Sequence, residues 1–268
     1  MIPIGEINAM STRLNVPIDT VEKDYIISWI LLCLSRSKLS QNFTFYGGTA
    51  IKRMYFEDHR FSEDIDLISE KSYSKERILS EMSALSYAKE MANISLAVNP
   101  DTITVSKGRI QLYITYTGFD EIIGPPKSVT VDLVMGRESF GDIEDKRIIK
   151  SYSDIQMKGS ALSVMTLNTI LANKLGLLND ITRNEPRDLF DVWFLLNRKD
   201  QFDFNFERVR AISKEKYSVY PSLSIISNSL TTSSFEKNWE IRLSKQISGL
   251  PTFNLIVKDI NSMLADLC

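Results

Sequence analysis

Two short stretches decide the fold: FYGGTA at residues 45–50 and RFSEDIDL at residues 60–67. In the first, aromatic residues typical of a strand run into a Gly-Gly pair, and the residues that follow favour a short helix. The second leads into a strand that carries Asp64 and Asp66 with Ile65 between them. Since side chains alternate along a strand, Asp64 and Asp66 are predicted to share one face of a sheet.

The pair Asp64 and Asp66 has the chemistry of half a hard-cation site. In proteins Mg²⁺ binds through one or two carboxylates and keeps its other positions for water and substrate phosphates. Two like charges this close also favour a cation near them. Considered alone, an Asp-X-Asp pair more often marks a solvated strand edge. The interpretation as a metal site therefore depends on the surrounding residues.

Gly47 and Gly48 stand between a predicted strand and a predicted helix, where glycine allows a ligand to approach the backbone closely. The start of that helix would direct amide donors, and the Thr49 hydroxyl, towards an anion. The pair is not a Walker loop, because no lysine follows at the required spacing, and no Gly-x-Gly-x-x-Gly motif occurs.

Asp132 is a third carboxylate of interest because it lies in an otherwise apolar strand at residues 129–134. A charge in such a strand is costly unless it is paired or metal-bound. It is a candidate third carboxylate of a phosphoryl-transfer site. A salt bridge to Arg109 or Arg137 is the alternative.

Composition excludes several classes of protein. The chain has 268 residues, 32 Lys and Arg against 34 Asp and Glu, two cysteines and one histidine, His59. This cysteine count gives no disulfide framework, and a single histidine excludes histidine-rich metal sites. No apolar run approaches the ~18 residues of a membrane span and no leader is evident, so we expect a cytoplasmic protein without a membrane partner.

Any nucleic acid must be bound by a local basic patch. Candidate patches contain Lys52, Arg53 and Arg60, or Arg183, Arg187, Arg198 and Lys199.

Periodicity predicts an α+β domain with a mixed sheet over residues 1–150 and a helical bundle over 151–268. No strand is predicted beyond Tyr152. Strands are predicted at 43–46, 64–68, 94–98, 102–106, 110–116 and 129–135. Helices are predicted at 20–34, 49–55, 74–91, 167–178, 186–197, 206–216, 235–248 and 254–267.

A resemblance to a known family becomes specific when these motifs are combined. The sequence resembles the AbiEii/AbiGii family of nucleotidyltransferase toxins, which have a polymerase-β-like nucleotidyltransferase fold followed by a helical domain. The resemblance covers residues 20–198, and the last part of the chain has no motif that we can match. It is carried by Glu22-Lys23-Asp24-Tyr25, Gly47-Gly48-Thr49-Ala50, Arg60-x-Ser62-x-Asp64-x-Asp66, Lys174 and Arg187-Asp188-x-x-Asp191.

The resemblance implies roles for individual residues. Asp64 and Asp66, with Asp132 assigned by strand order, would hold Mg²⁺ or Mn²⁺. Many members of the wider superfamily have Gly-Ser where this chain has Gly-Gly, so Thr49 would supply the hydroxyl. The residues expected to contact the NTP are Gly47, Gly48, Thr49, Arg60, Ser62, Lys174 and Arg187.

Three residues of the helical part complete the expected catalytic set. Lys174 would neutralise phosphate charge, and Asp188 and Asp191 would be the acidic motif of the family. Without the family, Lys174 is interpreted as part of a solvated helix face. Asp188 and Asp191, three residues apart near a helix start, are then ordinary partners of the helix dipole.

The resemblance also implies a function. It predicts transfer of a nucleoside monophosphate from an NTP to RNA, with a tRNA 3′ end as acceptor, by the toxin of a toxin–antitoxin or phage-defence system with a cognate antitoxin protein. The alternatives are a nucleotidyltransferase that acts on a protein side chain or a small molecule, and a non-catalytic module that binds nucleotide or RNA.

Overall fold

The computed structural model of the protein describes residues 1–119, 127–136, 141–155, 160–180, 183, 185–202, 204–218 and 233–265. The chain divides into two compact units. The first comprises Met1–Ser139 and Ile143–Met165, and the second comprises Phe140–Asp142 and Thr166–Cys268. None of the helices in the described ranges combines the length and the apolar character needed to cross a membrane.

The first unit is built on one mixed sheet, as predicted. Its order is β3-β5-β6-β2-β1-β8-β7, and β4 pairs with β5 outside this path. The pairs β2/β6 and β1/β8 are parallel, and the other pairs are antiparallel. The strands are β1 (Thr44–Tyr46), β2 (Asp64–Ser69), β3 (Leu96–Val98), β4 (Thr104–Ser106), β5 (Arg109–Tyr116), β6 (Lys127–Met135), β7 (Ile143–Arg147) and β8 (Ala161–Met165).

The helices of the first unit include the predicted core helix, which starts slightly earlier than expected, at Ile18. Its second half, from Tyr25 to Leu34, is apolar on nearly all sides, and most side chains of the helix are buried. The helices are α1 (Ile4–Leu14), α2 (Ile18–Leu34), α3 (Gly47–Ala50, continued by a π-helical turn at Ile51–Tyr55), α4 (Lys75–Glu81) and α5 (Ser86–Ala92). Short 3₁₀ turns lie at Lys38–Gln41, Met82–Leu85 and Pro100–Thr102.

Two expectations for the first unit were wrong. The helix predicted at 74–91 is broken by the 3₁₀ turn between α4 and α5, where the hydroxyls of Ser80 and Ser83 donate to carbonyls three residues earlier and compete with regular helical bonding. The strand signal does not end at Tyr152, because β8 inserts between β1 and β7. The sheet unit therefore continues to Met165, whereas the sequence placed the boundary at residue 150.

The described part of the second unit is helical. Thr166 caps α6 through its hydroxyl, and Pro186 occupies the first turn of α7, both as predicted. α6 packs against α7 and α8, while α9 and α10 pack against α7. The helices are α6 (Leu167–Leu178), α7 (Pro186–Leu196), α8 (Phe206–Tyr217), α9 (Ser233–Leu243) and α10 (Phe253–Ala265).

A buried ion pair between Asp24 and Arg53 ties α2 to the turn that follows α3. Arg53 is only 1% exposed and Asp24 3%. The Tyr152 hydroxyl donates to the same Asp24 oxygen at 2.6 Å, and Arg53 Nη1 donates to Ser151 Oγ at 3.0 Å. Removal of one partner leaves the other charge buried without compensation.

We therefore expect Asp24→Asn to lower the free energy of unfolding by about 3–5 kcal/mol. Urea denaturation monitored by tryptophan fluorescence measures this loss. Asp19→Asn on the same helix is the matched control, because Asp19 is 79% exposed in its pair with Lys127. The control should lose no more than about 1 kcal/mol. Equal losses in the two variants would contradict the assignment.

Candidate active site

Asp64 and Asp66 lie on β2 with their side chains on the same face of the sheet, as predicted. Both are half-buried, whereas Ile65 between them is fully buried on the other face. Asp66 stands opposite Tyr46, the last residue of β1. The two carboxylates therefore lie at the end of the central strands, where β1 leads into α3.

The Gly47-Gly48 turn passes between two charged side chains. Gly47 has φ = +85°, and a Cβ atom there would collide with the Asp66 carboxylate. A Cβ atom at Gly48 would lie 2.5 Å from Nη2 of Arg60. The left-handed backbone conformation favours glycine at position 47, whereas a side chain at position 48 would have to displace the Arg60 guanidinium. The α-helical part that follows is a single turn, so its dipole contributes little.

Two hydroxyl residues were expected to contact the nucleotide. Thr49 is 2% exposed, and its Oγ1 donates to the backbone carbonyl of Asp64, which fixes α3 to the start of β2. The Thr49 proton is thus used inside the protein, and a contact with phosphate remains a prediction. Ser62 is half-buried just before β2.

The turn between α3 and β2 is held from inside by Lys52. Its ammonium is buried and donates to the backbone carbonyls of Glu57 and His59, both at 2.8 Å, and it lies 4.2 Å from the centre of the Phe61 ring. The neighbouring Arg60 is 4% exposed and donates from Nη1 to the carbonyl of Phe61 at 3.2 Å. Lys52 therefore orders the segment that brings Arg60 against the Gly-Gly turn.

The basic patch expected at Lys52, Arg53 and Arg60 is not available on the surface. All three side chains are at most 5% exposed. Arg53 is paired with Asp24, and Lys52 with backbone carbonyls. The sequence shows that these charges are close together, but their burial depends on tertiary contacts that it does not show.

Asp132 stands directly opposite Asp66 in the parallel pairing of β2 and β6. It is 8% exposed, and its Oδ1 accepts hydrogen bonds from Arg109 Nε at 3.1 Å and Gln111 Nε2 at 3.0 Å. The predicted alternative of a salt bridge to Arg109 is confirmed. Arg137 lies outside the described residues.

Asp64, Asp66 and Asp132 are the candidate ligands of a metal ion. Among the residues that the structure describes, no three His, Cys, Asp or Glu side chains are grouped so that they could hold one. Asp64 and Asp66 still fit Mg²⁺, since this ion needs only one or two protein carboxylates. Asp132 as a third ligand remains a prediction.

The helical unit contains a buried cluster of charges around Lys174. Its Nζ lies 2.6 Å from Asp188 Oδ1 and 2.7 Å from Asp191 Oδ2, and Arg183 Nε lies 2.8 Å from Asp188 Oδ2. Lys174 is 8% exposed, Asp188 3% and Asp191 0%. The interpretation of Lys174 as part of a solvated helix face was therefore wrong. Asp188 does lie in the first turn of α7, as the dipole interpretation requires, but it and Asp191 are also buried partners of Lys174.

Neighbouring cations keep Asp188 ionised in this cluster. Burial alone would raise the pKa of Asp188, but Lys174 and Arg183 hold the pKa below its ordinary value. Arg187, expected to contact the nucleotide, lies 3.0 Å from Glu185 Oε2 through its Nη2. The structure thus brings Lys174, Asp188 and Asp191 together, and it pairs Arg187 separately.

Of the residues that organise these groups, sequence reasoning missed Gln111, and it assigned Lys52 and Arg183 to basic surface patches instead. Gln111 bonds to Asp132, Arg183 bonds to Asp188, and Lys52 orders the segment before β2. Alternation along β5 could have placed Gln111 on a polar face, but its contact with Asp132 follows only from the pairing of β5 with β6. No local signal distinguishes Lys52 or Arg183 from solvated surface residues.

A family model described as the nucleotidyl transferase AbiEii toxin of a type IV toxin–antitoxin system matches residues 29–264. The chain belongs to the AbiEii family. The match extends beyond residue 198, where the motifs end, and includes most of the C-terminal helices. Among proteins of curated function, none matches the chain.

Solved structures share the fold of this AbiEii member. JHP933 from Helicobacter pylori has a TM-score of 0.61 at 14% identity, over 94% of this chain and 93% of that chain. A second H. pylori structure, named as a candidate nucleotidyltransferase, has a TM-score of 0.61 at 16% identity, over 93% of this chain and 94% of that one. Identities this low establish similarity of fold alone.

Burial of Lys52 predicts a specific pH dependence of stability. Burial lowers the pKa of Lys52 to about 8, below the ~10.4 of a lysine in an unfolded chain. Between these values the unfolded chain binds more protons than the folded one, so this lysine makes stability rise with pH. The penalty for burying the charge is fully present below pH 8. Between pH 7.5 and 10.5, we expect the free energy of unfolding of wild type to rise by roughly 1–3 kcal/mol relative to that of Lys52→Met.

Urea denaturation at several pH values measures the difference between these two proteins. Lys89→Met, at an exposed lysine on α5, controls for the substitution itself. If the difference in free energy of unfolding between wild type and Lys52→Met stays constant over this pH range, Lys52 is not charged and buried as described.

Proposed function

We propose that this AbiEii protein is a Mg²⁺-dependent nucleotidyltransferase that moves a nucleoside monophosphate from an NTP to a hydroxyl of RNA, with the 3′ end of a tRNA as acceptor and pyrophosphate as the second product. One observation carries the proposal: Asp64 and Asp66 share a sheet face beside the Gly47-Gly48 turn. Family membership supports the class of reaction.

The reaction is an in-line displacement at the α-phosphorus. The acceptor oxygen forms a bond to this phosphorus, the bond to the β-phosphate oxygen breaks, and pyrophosphate leaves with the electron pair. Asp64 and Asp66 would hold Mg²⁺, which would supply positive charge for the phosphate oxygens. Asp132, or an acid of the Asp188 and Asp191 pair, orients the hydroxyl or takes its proton.

The nucleotide would contact the segment around the Gly-Gly turn. Gly47 and Gly48 allow close approach of phosphate to the backbone, and Arg60 places a guanidinium directly against Gly48. Thr49 and Ser62 are candidate hydroxyl contacts, although the Thr49 proton is already donated to a carbonyl. A positive charge at this turn favours the triphosphate over a neutral ligand.

The helical unit enters the proposal through Lys174. A compact ammonium is suited to neutralise phosphate charge, and Arg187 is a further candidate contact. Since Lys174 is held by Asp188 and Asp191, a role in catalysis must be separated experimentally from a role in folding.

The remaining partners rest on the family description. A toxin of a toxin–antitoxin system implies a cognate antitoxin, which we propose as the protein partner. The setting would be the cytoplasm, where NTPs and tRNA are found. RNA would have to be bound by local positive charge, and the candidates are Arg183 (46% exposed) and Arg187 (26% exposed), each of which is also paired with a carboxylate.

We expect Asp64→Asn and Asp66→Asn each to abolish transfer of label from an α-labelled NTP to RNA while the fold remains intact. Removal of one of two adjacent carboxylates relieves repulsion, so melting temperatures without Mg²⁺ should equal or exceed that of wild type. All four NTPs are tested with total RNA and Mg²⁺.

Glu63→Gln is the matched control, because Glu63 is in the same segment and is 55% exposed. This control should transfer label normally. If label appears on protein or on a small molecule, the same transfer reaction takes place with a different acceptor. Near-wild-type transfer by either Asp variant would refute the metal assignment.

The Lys174 cluster is tested by a single and a double substitution. Lys174→Met leaves Asp188 and Asp191 with one cationic partner fewer, and we expect a lower melting temperature. Lys174→Met/Asp191→Asn removes one charge of each sign and should recover most of that loss. If the cluster acts in transfer, both variants lose activity by about 10²-fold or more.

Recovery of both stability and transfer in the double variant would show that the cluster is needed only for folding. Differential scanning fluorimetry and the α-label assay are run on the same preparations, so the two properties are compared directly.

A further inference from the structure

The candidate carboxylates lie on a polar sheet face that continues across β6 onto β5. In the pairing register, Asp66 is opposite Asp132, which is opposite Gln111. One step along, Asp64 is opposite Thr130, which is opposite Tyr113. Because directly paired residues point to the same side of a sheet, these side chains share one face.

Three residues of β5 on this face form a connected set with Asp132. Arg109, Gln111 and Tyr113, here called the β5 row, alternate along the strand with buried apolar residues. Tyr113 donates from its hydroxyl to Gln111 Oε1 at 3.0 Å, and Gln111 Nε2 donates to Asp132 Oδ1 at 3.0 Å. Arg109 reaches the same Oδ1 with Nε at 3.1 Å and Nη2 at 3.0 Å.

The pattern of donors orients the Asp132 carboxylate. Arg109 Nε and Gln111 Nε2 both donate to Oδ1, and Arg109 Nη2 forms an ion pair with the same atom; within the described part of the chain these contacts all fall on Oδ1. Tyr113 fixes the Gln111 amide so that its NH₂ group, and not its oxygen, faces the carboxylate. A carboxylate held on one oxygen by two hydrogen bonds and an ion pair has little rotational freedom, and its second oxygen faces away from these contacts.

We propose that the β5 row is a positioning device for the transfer reaction: it holds Asp132 so that Oδ2 accepts a hydrogen bond from the acceptor hydroxyl and directs it at the α-phosphorus. This inference rests on the proposed function and assigns Asp132 to the acceptor.

The requirements of folding explain the β5 row only in part. Arg109 is 53% exposed, and Gln111 and Tyr113 are half-buried, so the set is not a packed core. A buried carboxylate such as Asp132 could be satisfied by one arginine. The added amide and its tyrosine partner contribute orientation, which is what catalysis requires of a group that must align a nucleophile.

The test separates kcat, KM and metal binding in variants of the row. We expect Arg109→Met and Gln111→Met each to lower kcat by about 10- to 100-fold, with the KM for NTP within about twofold of wild type. Tyr113→Phe should show the same pattern with a smaller loss, and Arg109→Lys should recover part of the loss. Mn²⁺ binding, measured by electron paramagnetic resonance with the metal alone, should be unchanged in all four.

Thr115→Val is the matched control. Thr115 lies on the same face of β5, but its hydroxyl donates to the Ala97 carbonyl on β3 at 3.0 Å, away from Asp132. This variant should have wild-type kcat, KM and Mn²⁺ binding. Melting temperatures are recorded for every variant, so that a loss caused by unfolding is recognised.

The outcomes distinguish this inference from the proposed function. If wild type transfers label and Asp64→Asn does not, while Arg109→Met and Gln111→Met keep wild-type kcat, the positioning role alone is overturned. It is also overturned if the row variants lose Mn²⁺ binding in parallel with kcat, because Asp132 would then serve the metal. If wild type itself transfers no label from any NTP, the proposed function and the positioning role fail together.

Discussion

The parallel pairing of β2 with β6 determines where the acidic side chains of the first unit lie. It sets Asp66 directly opposite Asp132, and the antiparallel pairing of β6 with β5 then sets Asp132 opposite Gln111. A shift of one residue in either register would move a whole set of side chains to the other face of the sheet. The apolar residues at alternate positions, such as Ile65, Val131 and Leu112, make that shift costly because they are fully buried.

A second constraint on the structure is that buried charges need compensating partners. Asp24 with Arg53 in the first unit, and Lys174 with Asp188 and Asp191 in the second, are compensated ion pairs at low exposure. Burial of ions is costly and adds little net stability compared with apolar packing. Such pairs are most easily understood where they fix the geometry of a neighbouring element. Asp24 and Arg53 do so for the segment that begins at the Gly-Gly turn.

Local sequence patterns predicted the parts of the site that depend on local geometry. Alternation placed Asp64 and Asp66 on one face, the Gly-Gly pair marked a turn that only glycine can form, and Thr166 and Pro186 marked helix starts. The patterns failed where distant contacts decide. The strand β8 is stabilised by pairing with β1 and β7, and Arg53 is buried with Asp24 and Tyr152, which lie far from it in the sequence. A single sequence does not show which cation meets which carboxylate.

The central claim is that the protein transfers the α-phosphate of an NTP, with its nucleoside, to an acceptor. The most direct measurement compares the same NTP labelled at the α-phosphate and at the γ-phosphate, each incubated with wild-type protein, Mg²⁺ and total RNA. We predict that α-label appears on RNA in a Mg²⁺-dependent manner while γ-label is released as pyrophosphate. Transfer of γ-label to the acceptor, or no transfer of either label to any acceptor, would contradict the account.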